Sequence, residues 1–310
     1  MSWNPELDID FPTGDQVDHV ETLIVPTAQD LGGFEVKRAL PSAKRKMVGP
    51  FVFFDHFGPA EFIKGTGVDV RPHPHIGLST VTYLYQGSMW HKDSLGTSAL
   101  VAAGEINLMT SGSGITHSER TSPEVREHVH SLFGIQTWLA LPENKEEMAP
   151  TFENQKEQAL PVIEGEDKHV KLILGTLYGE RSPVKVQSEM FYANAVLSAG
   201  AKIPLRPDHE ERGLYVVQGE IIISGQNFKQ GHMMTFRQGD EITIEAKTDT
   251  RVMLLGGTSL GKRYVWWNFV ASSREKIEDA KQAWREGDWQ HGRFQLPIDD
   301  NQEFMPLPEK

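Results

Sequence analysis

The sequence contains no cysteine. That absence removes disulfides, thiolate metal sites and cysteine nucleophiles together, so any metal must be held by imidazole, carboxylate or water. Cations are in short supply as well: 31 Lys and Arg stand against 43 Asp and Glu, a formal net charge of −12. A chain of that sign disfavours direct nucleic-acid binding, which needs concentrated Lys and Arg, and leaves room for a protein partner or a small anion in a local pocket. No stretch approaches the roughly 18 apolar residues of a membrane helix. The opening "MSWNPELDIDFPTGDQ" is acidic, with neither a basic start nor an apolar run. No signal peptide is expected there, and the location read from this is cytoplasmic, or also nuclear in a eukaryote.

What the chain does contain is short apolar runs. "FVFF" (51–54), "TVTYLY" (80–85), "INLMT" (106–110) and "FGIQTWLAL" (133–141) are broken by Gly, Pro and Asp. That pattern predicts an antiparallel all-β barrel or sandwich. Residues 142–161 are polar with proline at both ends and read as a connection, after which strand-like text resumes at "HVKLILG" (169–175) and runs to "RVMLLGG" (251–257). The halves are faintly alike. "YLYQG" (83–87) matches "YVVQG" (215–219), and each follows an Arg-Pro with a histidine nearby, which predicts two copies of one barrel. The expected division is a flexible tail over 1–20, an N-terminal barrel over 21–142, a linker over 143–161 and a C-terminal barrel over 162–310. Within the last, a helix is expected at about 272–286: Ser272 and Glu275 fit a capping box, Ile277, Ala280 and Trp284 recur at helical spacing, and Gly287 ends the run. It reads as a packing helix over one end of a barrel.

The chemistry gathers in two short segments. In "RPHPHIG" (71–77), Pro74 fixes its own φ and pushes His73 into an extended conformation, so His73 and His75 point to one face. In "TSGSGITHSER" (110–120), Gly112 and Gly114 allow a tight turn, and His117 and Glu119 are again two residues apart. Two such strands side by side bring three imidazoles and a carboxylate together. That donor set suits Fe(II), Mn(II), Ni(II), Cu(II) or Zn(II), with positions left for water, substrate or dioxygen.

The order HxH, Gly-rich turn, further His resembles the cupins, and the wording is closest to the pirin family of two-cupin proteins. "KRALPSAKRKMVGPFVFFDHFGPAEF" (37–62), "HPHIGLSTVTYL" (73–84), "GEINLMTSGSGITHSE" (104–119) and "RYVWWNFVASSREKIEDAKQAWREGDW" (263–289) all look like pirin segments. The resemblance implies a bicupin fold, two tandem antiparallel β-barrels with a short C-terminal helix. It implies a single divalent metal on His73, His75, His117 and Glu119, with Fe(II) foremost and Mn, Ni, Cu, Zn or Co as alternatives. Ile76, Ser79, Asn107 and Leu108 depart from residues common in the family, at positions that line or support its cavity. The activity implied is that of a quercetin 2,3-dioxygenase, in which a flavonol or similar enol or phenol is opened by dioxygen and carbon monoxide leaves. Glu119 would then be catalytic, taking the hydroxyl proton as well as ligating. The other implied class is a metal-dependent regulator acting through protein contacts, as a transcriptional or metabolic cofactor.

The remaining histidines read differently. His209 sits near the place equivalent to His75 but has no HxH partner, and nothing in the second half answers "ITHSE", His232 lying too early; that barrel is expected to be metal-free. His128 and His130 read as part of a strand. His91 reads as either a cavity-mouth residue or a hairpin residue held by Asp93. Asp55-His56, ahead of Gly58-Pro59, reads first as a turn, with a role in supporting the metal ligands as the alternative. The basic run "KRKM" (44–47) reads as a solvated loop.

Overall fold

The short apolar runs form antiparallel strands throughout the computed structural model, which describes residues 19–30 and 35–309. The tail expected over 1–20 lies outside the described residues up to residue 18, and Val20 already opens a strand. In the first half, a seven-stranded sheet runs in the order Thr151–Gln155, Ile106–Thr110, Leu78–Gln86, His130–Ala140, Phe51–Phe62, Glu35–Leu40, Thr27–Asp30. A four-stranded sheet faces it: Asp69–His75, Ile115–Arg120, Ser88–Asp93, Ser98–Ala102. The second half repeats this design. Its small sheet runs Lys202–Leu205, Ile242–Ala246, Glu220–Ile223, Gln226–Lys229, and the middle of its large sheet runs Met233–Phe236, Glu211–Gln218, Thr250–Gly257, Met190–Leu197. "YLYQG" and "YVVQG" fall at the ends of the equivalent strands Leu78–Gln86 and Glu211–Gln218. The fold is all-β and bicupin.

Two edge strands cross between the halves. Val20–Ile24 pairs with Met233–Phe236 in the second half's sheet, and Thr151–Gln155 pairs with Ile106–Thr110 in the first. The large sheets face one another over a continuous core to which both halves contribute, with Phe51 against Tyr192 (5.4 Å between ring centroids) and Phe54 against Tyr215 (4.9 Å).

Asp55 and His56 are not in a turn, as their sequence suggested. They lie inside the twelve-residue strand Phe51–Phe62, whose pleat sends them to opposite faces. Asp55 points toward the first barrel's pocket; His56 points to the inter-barrel core, where its Nδ1 is 2.8 Å from the Tyr215 hydroxyl. Burial lowers the His56 pKa to about 4, with Lys37 adding to the effect. The neutral ring is therefore a pH-linked contact. Because the folded pKa is depressed, the unfolded chain binds the proton first as pH falls, so the stability contribution is complete above about 6.5 and is lost between there and about pH 4. A shift of that size corresponds to roughly 3 kcal/mol. Chemical denaturation of wild type and His56→Gln at pH 7 and pH 4.5 checks it: the stability difference between the two proteins should move toward the variant at the lower pH.

The C-terminal helix spans Arg274–Glu286 and buries Ile277, Ala280 and Trp284; Gly287 closes it in the left-handed conformation (φ 66°). Its N-cap is Ser273, not Ser272. Ser272 is taken by Glu146, whose carboxylate accepts from the Ser272 N–H (2.8 Å) and hydroxyl (2.9 Å) and from Lys276 Nζ (2.7 Å). Only 2% of Glu146 is exposed, although it comes from the polar stretch read as a linker. The helix packs on Phe269 and Phe294 in a cluster that includes Ile76, and so braces the end of the "HPHIG" strand.

Candidate metal centre

Asp69–His75 and Ile115–Arg120 are paired so that His117 lies opposite His73 and Ile115 opposite His75. The register slips between His117 and Glu119, a bulge that re-aims the following side chain. All three imidazoles are buried, and one nitrogen from each lies within 4.8 Å of the other two. Ring centroids are 4.4 Å apart for His73–His117 and 5.0 Å for each of the other pairs.

The hydrogen bonds dictate which nitrogens face inward. His73 Nδ1 meets the Arg71 carbonyl at 2.8 Å and His75 Nδ1 meets the Asn268 carbonyl at 3.0 Å. A carbonyl only accepts, so Nδ1 carries the proton in both rings and Nε2 presents a bare lone pair. His117 reaches the same state through two steps. Asp93, fully buried, accepts from His91 Nε2 (3.1 Å) and from the Leu95 and Thr97 amides. His91 Nδ1 is then an acceptor, lies 3.4 Å from His117 Nδ1 and accepts its N–H, which leaves His117 Nε2 bare as well. Burial holds all three rings neutral, lowering His73 to about 4 and His75 and His117 well below the ordinary imidazole range. The His75 and His117 Nε2 atoms lie 3.1 Å apart. Two bare lone pairs at that distance repel unless a cation lies between them, so the residues fit a bound metal ion.

Glu119 is 7% exposed and lines the same pocket as His73, outside the tight three-imidazole group. Gln136 Nε2 donates to its Oε1 at 2.7 Å, and burial raises its pKa. The pocket, about 350 Å3, has a flat aromatic wall in which Phe53 and Trp138 stack at 4.0 Å. Arg38 lies 4.4 Å over Phe53 and holds Asp55 with two hydrogen bonds, of 2.8 and 2.7 Å. The second half completes the wall with Trp267, Asn268 and Met305.

Of the two sequence readings of His91, the hairpin position held by Asp93 is the one found; the ring is buried against His117 and is not among the residues that line the pocket. His130 opens a strand and stacks on Phe62 at 5.1 Å, and His128 lies outside any strand; neither approaches the cluster. His209 is not at the position equivalent to His75. By strand register that position is Leu205, while His73 and His117 correspond to Ile203 and Ile244. The shared Arg-Pro misleads because the second half's strand ends before it, and His209 instead bonds the Thr176 carbonyl at 3.0 Å. Asn268, Gln136, Arg38 and Met305 were not read from the sequence. The only local signal was for Gln136, two residues from Trp138 and so on the same face of their strand.

A family model described as Pirin matches residues 33–139, and one described as Pirin C-terminal cupin domain matches residues 192–294. A pirin-like protein of Caulobacter vibrioides is 44% identical, over 91% of this chain and 96% of its own. A Pseudomonas aeruginosa protein named "Putative quercetin 2,3-dioxygenase" is 35% identical, over 94% of this chain and 92% of its own. The crystal structure of quercetin 2,3-dioxygenase from Acinetobacter baumannii superposes with a TM-score of 0.85 at 33% identity, covering 93% of this chain and 95% of that one.

Proposed function

The chain belongs to the pirin family, and from that premise we propose that it is a metal-dependent dioxygenase of the quercetin 2,3-dioxygenase type, acting on a flavonol or a similar enol or phenol. The observation that carries the reading is the set of three inward Nε2 lone pairs beside an aromatic-walled pocket that also holds a carboxylate. His73, His75 and His117 would hold the ion, with Glu119 as the fourth ligand and Fe(II) as the proposed metal. Such an ion supplies Lewis acidity toward a substrate hydroxyl and one-electron chemistry toward dioxygen.

The protein groups do the rest. Phe53 and Trp138 offer a flat apolar face to a planar ring. Glu119, made more basic by burial and held by Gln136, takes the proton from the hydroxyl of the entering substrate. Arg38 and Asp55 put a fixed ion pair in the pocket wall, where they orient further hydroxyl groups. Trp267 and Met305 exclude water from above.

Aerobic turnover of quercetin by Fe(II)-reconstituted protein tests this, with Glu119→Gln alongside. Loss of flavonol absorbance with matching oxygen uptake is expected, reduced by about 100-fold or more in the variant. A fully metal-loaded protein that consumes no oxygen with quercetin or simpler enols and catechols would overturn the enzymatic reading.

A further inference from the structure

A second cavity, of about 610 Å3, lies away from the imidazoles, where loop 41–49 of the first half meets the return segment 259–265 of the second. Arg45, Lys46, Lys262 and Arg263 line it, against the single carboxylate of Glu211. In a chain of net charge −12 this is a local reversal of sign. The arginines are already engaged. Arg45 is shared between Glu211 (3.1 Å) and Glu21 (3.3 Å), and Arg263 donates to the Leu260 and Leu141 carbonyls beside Glu146. Glu211 is engaged too, accepting from the Gly49 amide at 2.6 Å. Lys46 and Lys262 have no carboxylate partner among the described residues.

The charge is felt by a neighbour. Lys262 Nζ lies 4.7 Å from the centre of the Tyr264 ring and the Arg274 guanidinium 5.0 Å, and both pull the phenol below its ordinary range. Beside these cations the wall is apolar, through Met47, Val52 and Val265. The run read from sequence as a solvated loop is therefore solvated only in part: Lys44 and Lys46 are exposed, while Arg45 and Met47 are half-buried at the cavity. Lysines without a carboxylate partner, set beside an apolar wall, are what an anion with an organic body requires.

We propose that this seam binds a small organic anion carrying two or more charges, with phosphate or paired carboxylates against Lys46 and Lys262 and its body against Met47, Val52 and Val265. The site is independent of the metal and of the reaction proposed above.

Calorimetric titration of the metal-loaded full chain with inorganic pyrophosphate, ADP and citrate tests it. Saturable binding of at least one is expected, weakening as salt is raised, because exposed charge pairs are screened. Lys46→Glu/Lys262→Glu should weaken it by about tenfold or more with bound metal unchanged. Val265→Trp, which fills the cavity without altering charge, should weaken it too. His117→Ala should bind as wild type does, which separates the seam from chelation at the imidazoles. The tightest of the three probes tells a phosphate ligand from a carboxylate one. No saturable binding of any probe, or equal binding by the lysine variant, overturns the proposal.

Discussion

His117→Ala should lose nearly all bound metal while remaining folded, the largest single effect expected in this protein. Wild type reconstituted with Fe(II) and desalted should hold about one ion per chain, and the variant below about a tenth of that, since a metal site left with two imidazoles loses affinity steeply. The fold should tolerate the change. His117 contributes a lone pair that faces another at 3.1 Å, so its removal relieves repulsion in the metal-free chain as well as opening a small cavity. His209→Ala serves as the control and should bind metal as wild type does, because the register puts Ile203, Leu205 and Ile244 where the second barrel would need donors, and aliphatic side chains have none to offer. Elemental analysis of the purified variants decides. Equal metal loss in the His209 variant would mean that the site extends into the second barrel.

Gly77→Ala should be strongly damaging for so small a substitution near the site. Gly77 has φ +66°, and a Cβ there would overlap the Val270 carbonyl oxygen, a backbone atom that no side-chain rotation can move aside. Around it, Gly77 N–H bonds the Gly112 carbonyl, its own carbonyl accepts from Leu141, and Val270 N–H bonds the Ile76 carbonyl. Relief of the overlap must shift either the strand end two residues after His75 or the segment two residues after Asn268. Those are the two partners of one hydrogen bond that orients an inward imidazole. The expected cost is on the order of 4 kcal/mol, from the left-handed penalty together with the overlap. That corresponds to a fall in Tm of roughly 6 °C for a chain of this size, with weakened metal binding in the fraction that folds. A thermal melt within about 2 °C of wild type would show that Val270 yields without strain.

How far the site was legible follows from the distance over which each residue acts. His73, His75 and His117 could be read because strand pleating has a period of two and both segments announce themselves with proline or glycine. The same periodicity placed the repeat, since "YLYQG" and "YVVQG" occupy equivalent strand ends. Asp55-His56 was misread because a Gly-Pro pair nearby is a strong turn signal, which tertiary pairing on both sides of the Phe51–Phe62 strand overrides. The helix cap shifted by one residue for a similar reason. Glu146, 126 positions away, captures Ser272 and leaves Ser273 to cap. Asn268 orients His75 across 193 residues and Met305 closes the pocket from near the end of the chain, so no local pattern could have shown either.

The crossed edge strands bear on how such a chain arises and persists. The strand preceding each half completes the sheet of the other: Val20–Ile24 belongs to the second and Thr151–Gln155 to the first. Cut apart between the halves, each barrel would present an unpaired strand edge, an open template for aggregation. The halves are therefore clasped, and neither is a transplantable module. After a duplication, such a clasp ties the fate of one copy to the other. The second barrel can have aliphatic residues at the three positions where the first has His73, His75 and His117 and still be indispensable, because it supplies the first with a pocket wall, a carbonyl for His75 and protection for its sheet face.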